Sequence, residues 1–181
     1  MNEETGETAI IVPMSRCEQM LADVAADLNL ERVQGMPAHV TLLYPFVEAT
    51  RLGPDVAAEA RRTLSDVRPF RCEFSTFGRF TDPPAALYLE PVPERPFRTM
   101  TALLEHAFGT RAYGGAFDEV IPHLTLVESS DTSAWIRVES LVAPALPIVE
   151  VVSGCSIYRQ HAGAWVEAFS LPFVLGARHT T

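Results

Sequence analysis

An α+β fold built on antiparallel sheet is the architecture this sequence predicts, on three observations. Segments with apolar residues at helical intervals interleave with segments of strand-like alternation. Several strand segments stand in hairpin-like pairs joined by short turn signals. No linker, low-complexity stretch or charge block divides the 181 residues. One domain over residues 1–181 is therefore expected, long enough for one well-buried core or two small lobes sharing it.

The elements follow in order. Ala9 to Pro13 is a short apolar run, read as a strand. Cys17, Met20, Leu21, Val24 and Leu28 then fall at helical spacing, and Met36 to Phe46 reads as a strand. Pro54 stands where a first helical turn begins, followed by Val56, Ala60, Leu64 and Val67. Phe70, Cys72, Phe74 and Thr76 alternate with Arg71, Glu73 and Ser75, predicting a strand with the first set on one face. Thr81-Asp82-Pro83-Pro84 makes a turn into a strand at Ala86 to Glu90. Pro96 opens a helix carrying Phe97, Met100, Leu104, Ala107 and Phe108, which Gly109 ends. A glycine-containing loop at Tyr113 to Ala116 leads to a strand at Val120 to Glu128. Asp131 is a helix N-cap, and Pro144 stops that helix. Ile148 to Tyr158 and Ala164 to Val174 read as a final hairpin turning at His161-Ala162-Gly163.

Composition narrows the function. No apolar run reaches the roughly 18 residues of a membrane span, so no membrane partner is expected. Met1 to Glu7 is acidic, unlike a signal peptide, and a cytoplasmic location is the expectation. Cys17, Cys72 and Cys155 are odd in number and far apart, which suits small core residues rather than a disulfide framework or zinc knuckle. The net charge of −9 repels a long polyanion and disfavours nonspecific nucleic-acid coating. The sequence contains no lysine. That excludes a P-loop lysine, a Schiff base and a lysine–nucleotide adduct, leaving arginine, histidine, hydroxyls and backbone amides for any phosphate chemistry.

Three of the five histidines begin a His-x-Thr triplet: His39-Val40-Thr41, His123-Leu124-Thr125 and His179-Thr180-Thr181. The third occupies the last three residues, outside any packing pattern, and shows how cheap the bare triplet is. The other two read His-aliphatic-Thr-Leu, follow a nearby proline and fall in predicted strands. A lone histidine on a half-buried strand is usually structural; a matched pair is another matter. On a strand, His39 and Thr41 point one way and Val40 and Leu42 the other, and likewise for His123 and Thr125. Two such strands lining one cleft would offer two proton-transfer groups and two hydroxyl donors to a shared anion. That set suits a cyclic or bridging phosphodiester.

The two motifs, 84 residues apart, resemble the 2H phosphoesterase superfamily, in its branch labelled 2′-5′ RNA ligase-like. The likeness extends to the Phe70–Phe80 strand, Leu87-Tyr88-Leu89 and the closing hairpin with Trp165 and Phe169. It implies a two-lobed, pseudo-symmetric duplicated fold, with antiparallel sheets flanking a central cleft and helices outside. His39, Thr41, His123 and Thr125 would then be the catalytic set. It further implies phosphodiesterase activity on 2′,3′-cyclic phosphates or related 2′-5′ linkages, without metal or other cofactor. The expected partner is a small nucleotide cyclic phosphate or an RNA 3′ end. The rival reading is a noncatalytic module binding a nucleotide phosphate in the same cleft. Alternation places Tyr44 on the face opposite His39, in core or rim packing. Arg79 and Arg159 are weaker candidates for cleft charge, and His106 and His161 are incidental on this reading.

Overall fold

A computed structural model describes residues 6–30 and 32–174. Eight strands and four helices are arranged as β1 (Thr8–Pro13), α1 (Ser15–Leu28), β2 (His39–Leu43), α2 (Pro54–Thr63), β3 (Phe70–Phe80), β4 (Ala86–Val92), α3 (Arg95–Phe108), β5 (Leu124–Glu128), α4 (Thr132–Val142), β6 (Ile148–Val152), β7 (Gly154–His161) and β8 (Ala164–Pro172). They form two four-stranded sheets, ordered β2-β1-β7-β8 and β5-β4-β3-β6, and every pairing is antiparallel. The two orders match. In each sheet a strand–helix–strand unit, β1-α1-β2 or β4-α3-β5, places its second strand at the edge. This is the expected two-lobed, pseudo-symmetric α+β fold, with the His-x-Thr segments at equivalent edges.

The helices form where the periodicity put them. α1 buries Cys17, Leu21 and Val24, one stripe at intervals of four and three. It ends with Asn29 in the left-handed conformation and the Leu30 N–H on the Ala25 carbonyl, 2.8 Å away. Pro54 is the first residue of α2. α3 buries Phe97, Met100, Thr101 and Leu104 and closes at Gly109, whose φ is 61°. The Asp131 carboxylate caps α4 by accepting from the Ser133 N–H at 2.9 Å.

One hydrophobic core spans both sheets. Ile10, Val12, Val40 and Leu42 of the first join Cys72, Phe74, Leu87, Leu89 and Leu124 of the second, together with the apolar faces of the helices. Buried polar groups also join the halves. The buried Thr101 hydroxyl donates to the Leu42 carbonyl at 2.9 Å. Glu150 on β6, 5% exposed, accepts from the Arg16 N–H at 2.8 Å and the Ser15 hydroxyl at 3.2 Å. A carboxylate suits that place, because the first turn of α1 has free N–H groups and a positive dipole end. All three cysteines are buried and free. Burial pushes each thiol up to about 12, so they remain uncharged core side chains.

β2 is shorter than the expected strand Met36 to Phe46, α2 ends at Thr63 short of Leu64 and Val67, and three further differences from the sequence reading have physical causes. The expected strand Ile148 to Tyr158 is two strands: β6 pairs with β3 in one sheet, and β7 pairs with β1 in the other. The chain changes sheets at Ser153, and continuous alternation cannot report a change of partner. β5 begins at Leu124 rather than Val120, since Pro122 has no N–H for a ladder. The register of β3 against β4 shifts between Phe74 and Thr76. That bulge moves Thr76 off the Cys72–Phe74 face, and it moves Gly78 and Phe80 with it. The final hairpin turns as expected, with Ala162 and Gly163 at φ 50° and 82°, the geometry of a tight two-residue turn.

Candidate active site

The edge strands of the two sheets, β2 and β5, lie against each other. On β2, Val40 and Leu42 are fully buried while His39 and Thr41 are only half-buried; at β5, Leu124 and Leu126 are buried while Thr125, and His123 just before the strand, are half-buried. The same alternation operates in both motifs, with hydrocarbon packed inward and imidazole plus hydroxyl turned away from the core. The imidazoles are near enough for His123 to act electrostatically on His39.

Each ring is oriented by a carbonyl two residues before it. Nδ1 of His39 lies 2.7 Å from the Pro37 oxygen, and Nδ1 of His123 lies 2.7 Å from the Ile121 oxygen. A carbonyl can only accept, so Nδ1 carries the hydrogen in both rings. Nε2, at the far end, is left to take or give a proton.

The surroundings of the two rings differ. Beside His39 are Glu18 and Arg32; beside His123 are Phe80 and Tyr88, with ring centroids 4.9 Å and 5.3 Å from the imidazole. The Tyr88 ring lies across Gly78, where a Cβ would overlap its carbons, so only glycine admits that packing. The bulge in β3 is what brings Gly78 and Phe80 to this face. A second register shift, between Leu87 and Tyr88, pairs Tyr88 with Thr125 and Ala86 with Glu128, and so turns Glu128 to the Thr125 side. Tyr113 packs edge-on against Tyr44 and Phe117, and its phenol meets the Thr41 hydroxyl.

Both histidines are held below their ordinary value of about 6.5. Burial is the main cause in each. The backbone carbonyl opposes it at both rings, the charges of His123 and Arg32 lower His39 further, and Glu18 at His39 and Glu128 at His123 act upward. Both rings are thus neutral at pH 7 without a ligand, and a bound phosphate would favour their protonated forms. The stability consequence has a definite sign. An unfolded chain takes up these protons below about pH 6.5, while the folded chain resists, so the contribution is complete above about 6.5 and is lost as pH falls through it. Denaturant titrations should give a lower unfolding free energy at about pH 5.5 than at about 7.5, with a shallower dependence in His39→Gln. An equally steep dependence in that variant would show that other groups govern it. Glu18 is held below its normal range by the Arg32 hydrogen bond and acts only in more acidic solution.

Several residues around the two motifs escaped the sequence reading: Glu18, Arg32, Tyr88 and Tyr113. Arg79 is turned away and pairs with Glu139 on α4. Arg159 pairs with Thr8 in register and so lies on the other face of its sheet from Ile11. His106 on α3 and His161 at the end of β7 are exposed. The Tyr44 assignment needs correction. β1 and β2 shift register between Ile10 and Ile11, and Tyr44 packs with Ala9, Ile11, Tyr158, Met36 and Trp165 on the Thr41 side of the sheet. It sits at the rim, its hydroxyl 2.6 Å from Glu7. His179 to Thr181 lie outside the described residues. A separate surface groove of about 860 Å³, lined by Phe46, Arg51, Asp55 and Arg62 among others, contains neither motif. Among the described residues no group of three or more His, Cys, Asp or Glu could hold a metal ion.

Two sheets of matching topology, each ending in a histidine–threonine edge strand, are the architecture of a two-histidine phosphoesterase. The chain belongs to the 2′-5′ RNA ligase superfamily, whose family model matches residues 12–164. E. coli LigT in complex with NADP+ superposes with a TM-score of 0.61 at 12% identity, over 96% of this chain and 100% of that one. LigT with 3′-AMP gives 0.60 at 12% identity, over 94% and 98%. TT0787 of Thermus thermophilus gives 0.60 at 19% identity, over 92% and 98%. At these identities the likeness establishes the fold. No curated protein sequence matches the chain. No helix among the described residues is long and apolar enough to cross a membrane.

Proposed function

We propose that this chain is a metal-independent phosphodiesterase acting on 2′,3′-cyclic phosphates, or related 2′-5′ linkages, of small nucleotides or RNA ends. The observation that carries this reading is the matched pair of imidazoles, each with Nδ1–H tied to a carbonyl and Nε2 free, each beside a threonine hydroxyl. One Nε2 takes a proton from water as its oxygen attacks phosphorus. The other, protonated, gives its proton to the departing ribose oxygen as the P–O bond breaks. Thr41 and Thr125 donate to the nonbridging oxygens, where negative charge gathers. The two rings finish with their protonation exchanged, and solvent resets them. Ligation through a lysine adduct has no residue to form on, so any joining would be the same transesterification in reverse.

The aromatic surfaces support a nucleotide. Tyr113 meets Thr41 and packs on Tyr44, which packs in turn on Trp165, and the half-buried Phe80 stands beside His123. A base can stack on such surfaces with little sequence demand. LigT has been captured with NADP+, 3′-AMP and ATP, in keeping with a fold that accepts small nucleotides. The test is hydrolysis of 2′,3′-cyclic mononucleotides, with product analysis, in the presence and absence of EDTA. The expected result is turnover that survives the chelator, with mononucleotides bound about as well as longer RNA. Loss of activity restored by zinc or manganese would overturn the mechanism. Binding without turnover would make the protein a phosphate-binding module instead.

A further inference from the structure

The peptide unit joining Pro37 to Ala38 is engaged at both ends. Its carbonyl oxygen accepts the Nδ1–H of His39 at 2.7 Å, and its N–H donates to Oε2 of Glu18 at 2.5 Å. The Glu18 carboxylate is itself held by a forked contact from Arg32, Nη1 to Oε1 at 2.6 Å and Nη2 to Oε2 at 3.1 Å. A continuous line of hydrogen bonds therefore runs from Arg32 through Glu18 and one amide to the imidazole.

We propose that Glu18 is a positioning residue for His39, acting through this shared peptide much as a carboxylate acts directly on a histidine in other acid–base sites. The inference rests on reading His39 as a proton-transfer group. Two physical effects carry it. The charge-assisted bond at N–H fixes the plane of the amide, and with it the direction from which the carbonyl holds the ring. Drawing electron density away at N–H also makes the carbonyl oxygen a stronger acceptor, because linked hydrogen bonds polarise one another. Partners that hold the distal nitrogen of a working imidazole set its orientation and basicity.

The other motif shows the contrast. His123 is held by the Ile121 carbonyl, but the nitrogen of that peptide belongs to Pro122 and has no hydrogen to donate. Arg98 steadies this loop from a different point, donating to the Val120 carbonyl at 3.0 Å while pairing with Glu119 and Glu94. The two motifs read Pro-Ala-His and Ile-Pro-His, and this one-position displacement of proline permits the relay at His39 alone.

The charged and titratable groups around His39 come from several elements. Glu18 belongs to α1, Arg32 to the segment after it, and His123 to the other sheet. Tyr113 stands at Thr41, and Tyr158 on β7 with Glu167 on β8 lies beyond Glu18. Of the groups acting on His39, Glu18 alone is anionic.

The experiment follows the two imidazoles by NMR titration in the parent, Glu18→Gln and Arg32→Gln, alongside the pH profile of cyclic-nucleotide turnover and thermal melts. Glutamine keeps an acceptor for the Ala38 N–H but removes the charge. Glu18→Gln should move the His39 titration to lower pH, leave that of His123 near the parent's, and lower turnover at neutral pH about 10-fold, the scale on which such supporting partners act. Arg32→Gln, which removes a cation and keeps the carboxylate, should move His39 the opposite way. A His39 titration unchanged in Glu18→Gln, equal shifts of both histidines, or activity loss that merely tracks melting would each overturn the proposal. A parent that shows no turnover, with the His39 shift still present, would remove the enzymatic reading and leave the coupling standing.

Discussion

His39→Ala and His123→Ala are each expected to lower turnover roughly 10²–10⁴-fold, and the double variant is expected to be little worse than the poorer single. The reason is that both rings serve one step. One Nε2 must be neutral and the other protonated at the same moment, so losing either disables the exchange that the other would complete. The parent rate should follow a bell-shaped pH profile, whose limbs belong to the pair because both rings serve one step and the charge of His123 acts on His39. Thr41→Ala and Thr125→Ala should cost less, since each removes one hydroxyl donor and leaves the proton transfers in place. Folding should be largely unaffected, because these side chains are half-buried and the aliphatic residues between them carry the packing. Turnover of the four histidine forms on one cyclic nucleotide, with melts as the folding control, decides it. Near-parent turnover by either folded single variant would end the paired mechanism.

Phe74→Ala is expected to have the largest effect on stability, about 3–5 kcal/mol. Phe74 has no exposed surface, and its backbone pairs with Pro91 on β4 and Ile148 on β6. Truncation would leave a cavity in the core that both sheets share, at the strand position where the β3 bulge begins. Neighbours fixed by ladder hydrogen bonds on both sides can collapse into it only partly. For a chain of this length the loss corresponds to a melting shift of about 6–20 °C. Because the core is continuous across the sheets, the variant should still unfold in one cooperative transition. Two separated transitions would show that the lobes are held together far more weakly than their common core implies.

The helices were legible because each announces its own boundary and its own buried stripe. Pro54, Gly109 and Asp131 act within a turn of where they stand, and residues such as Phe97, Met100 and Leu104 repeat at a period that only a helix aligns. The histidine motifs were legible for a similar reason, since two-residue alternation places His39 with Thr41, and His123 with Thr125, whatever the partner strand. Tyr44, Gly78, Phe80 and Glu128 were not legible. Each lies beyond a register shift, and such a shift is a property of two strands together.

From the sequence alone came the α+β class, the two His-x-Thr strands and, through the absence of lysine, the exclusion of a lysine–nucleotide adduct. Those follow from local periodicity and from residue types, which need no tertiary contact to be read. Only the folded chain decided that β6 and β7 belong to different sheets, that aromatic rings flank His123, and that Glu18 and Arg32 stand behind His39. Strand partners and charge neighbours are set by residues far apart along the chain. Glu18 is 20 positions from the amide it binds, a distance over which no sequence period carries information.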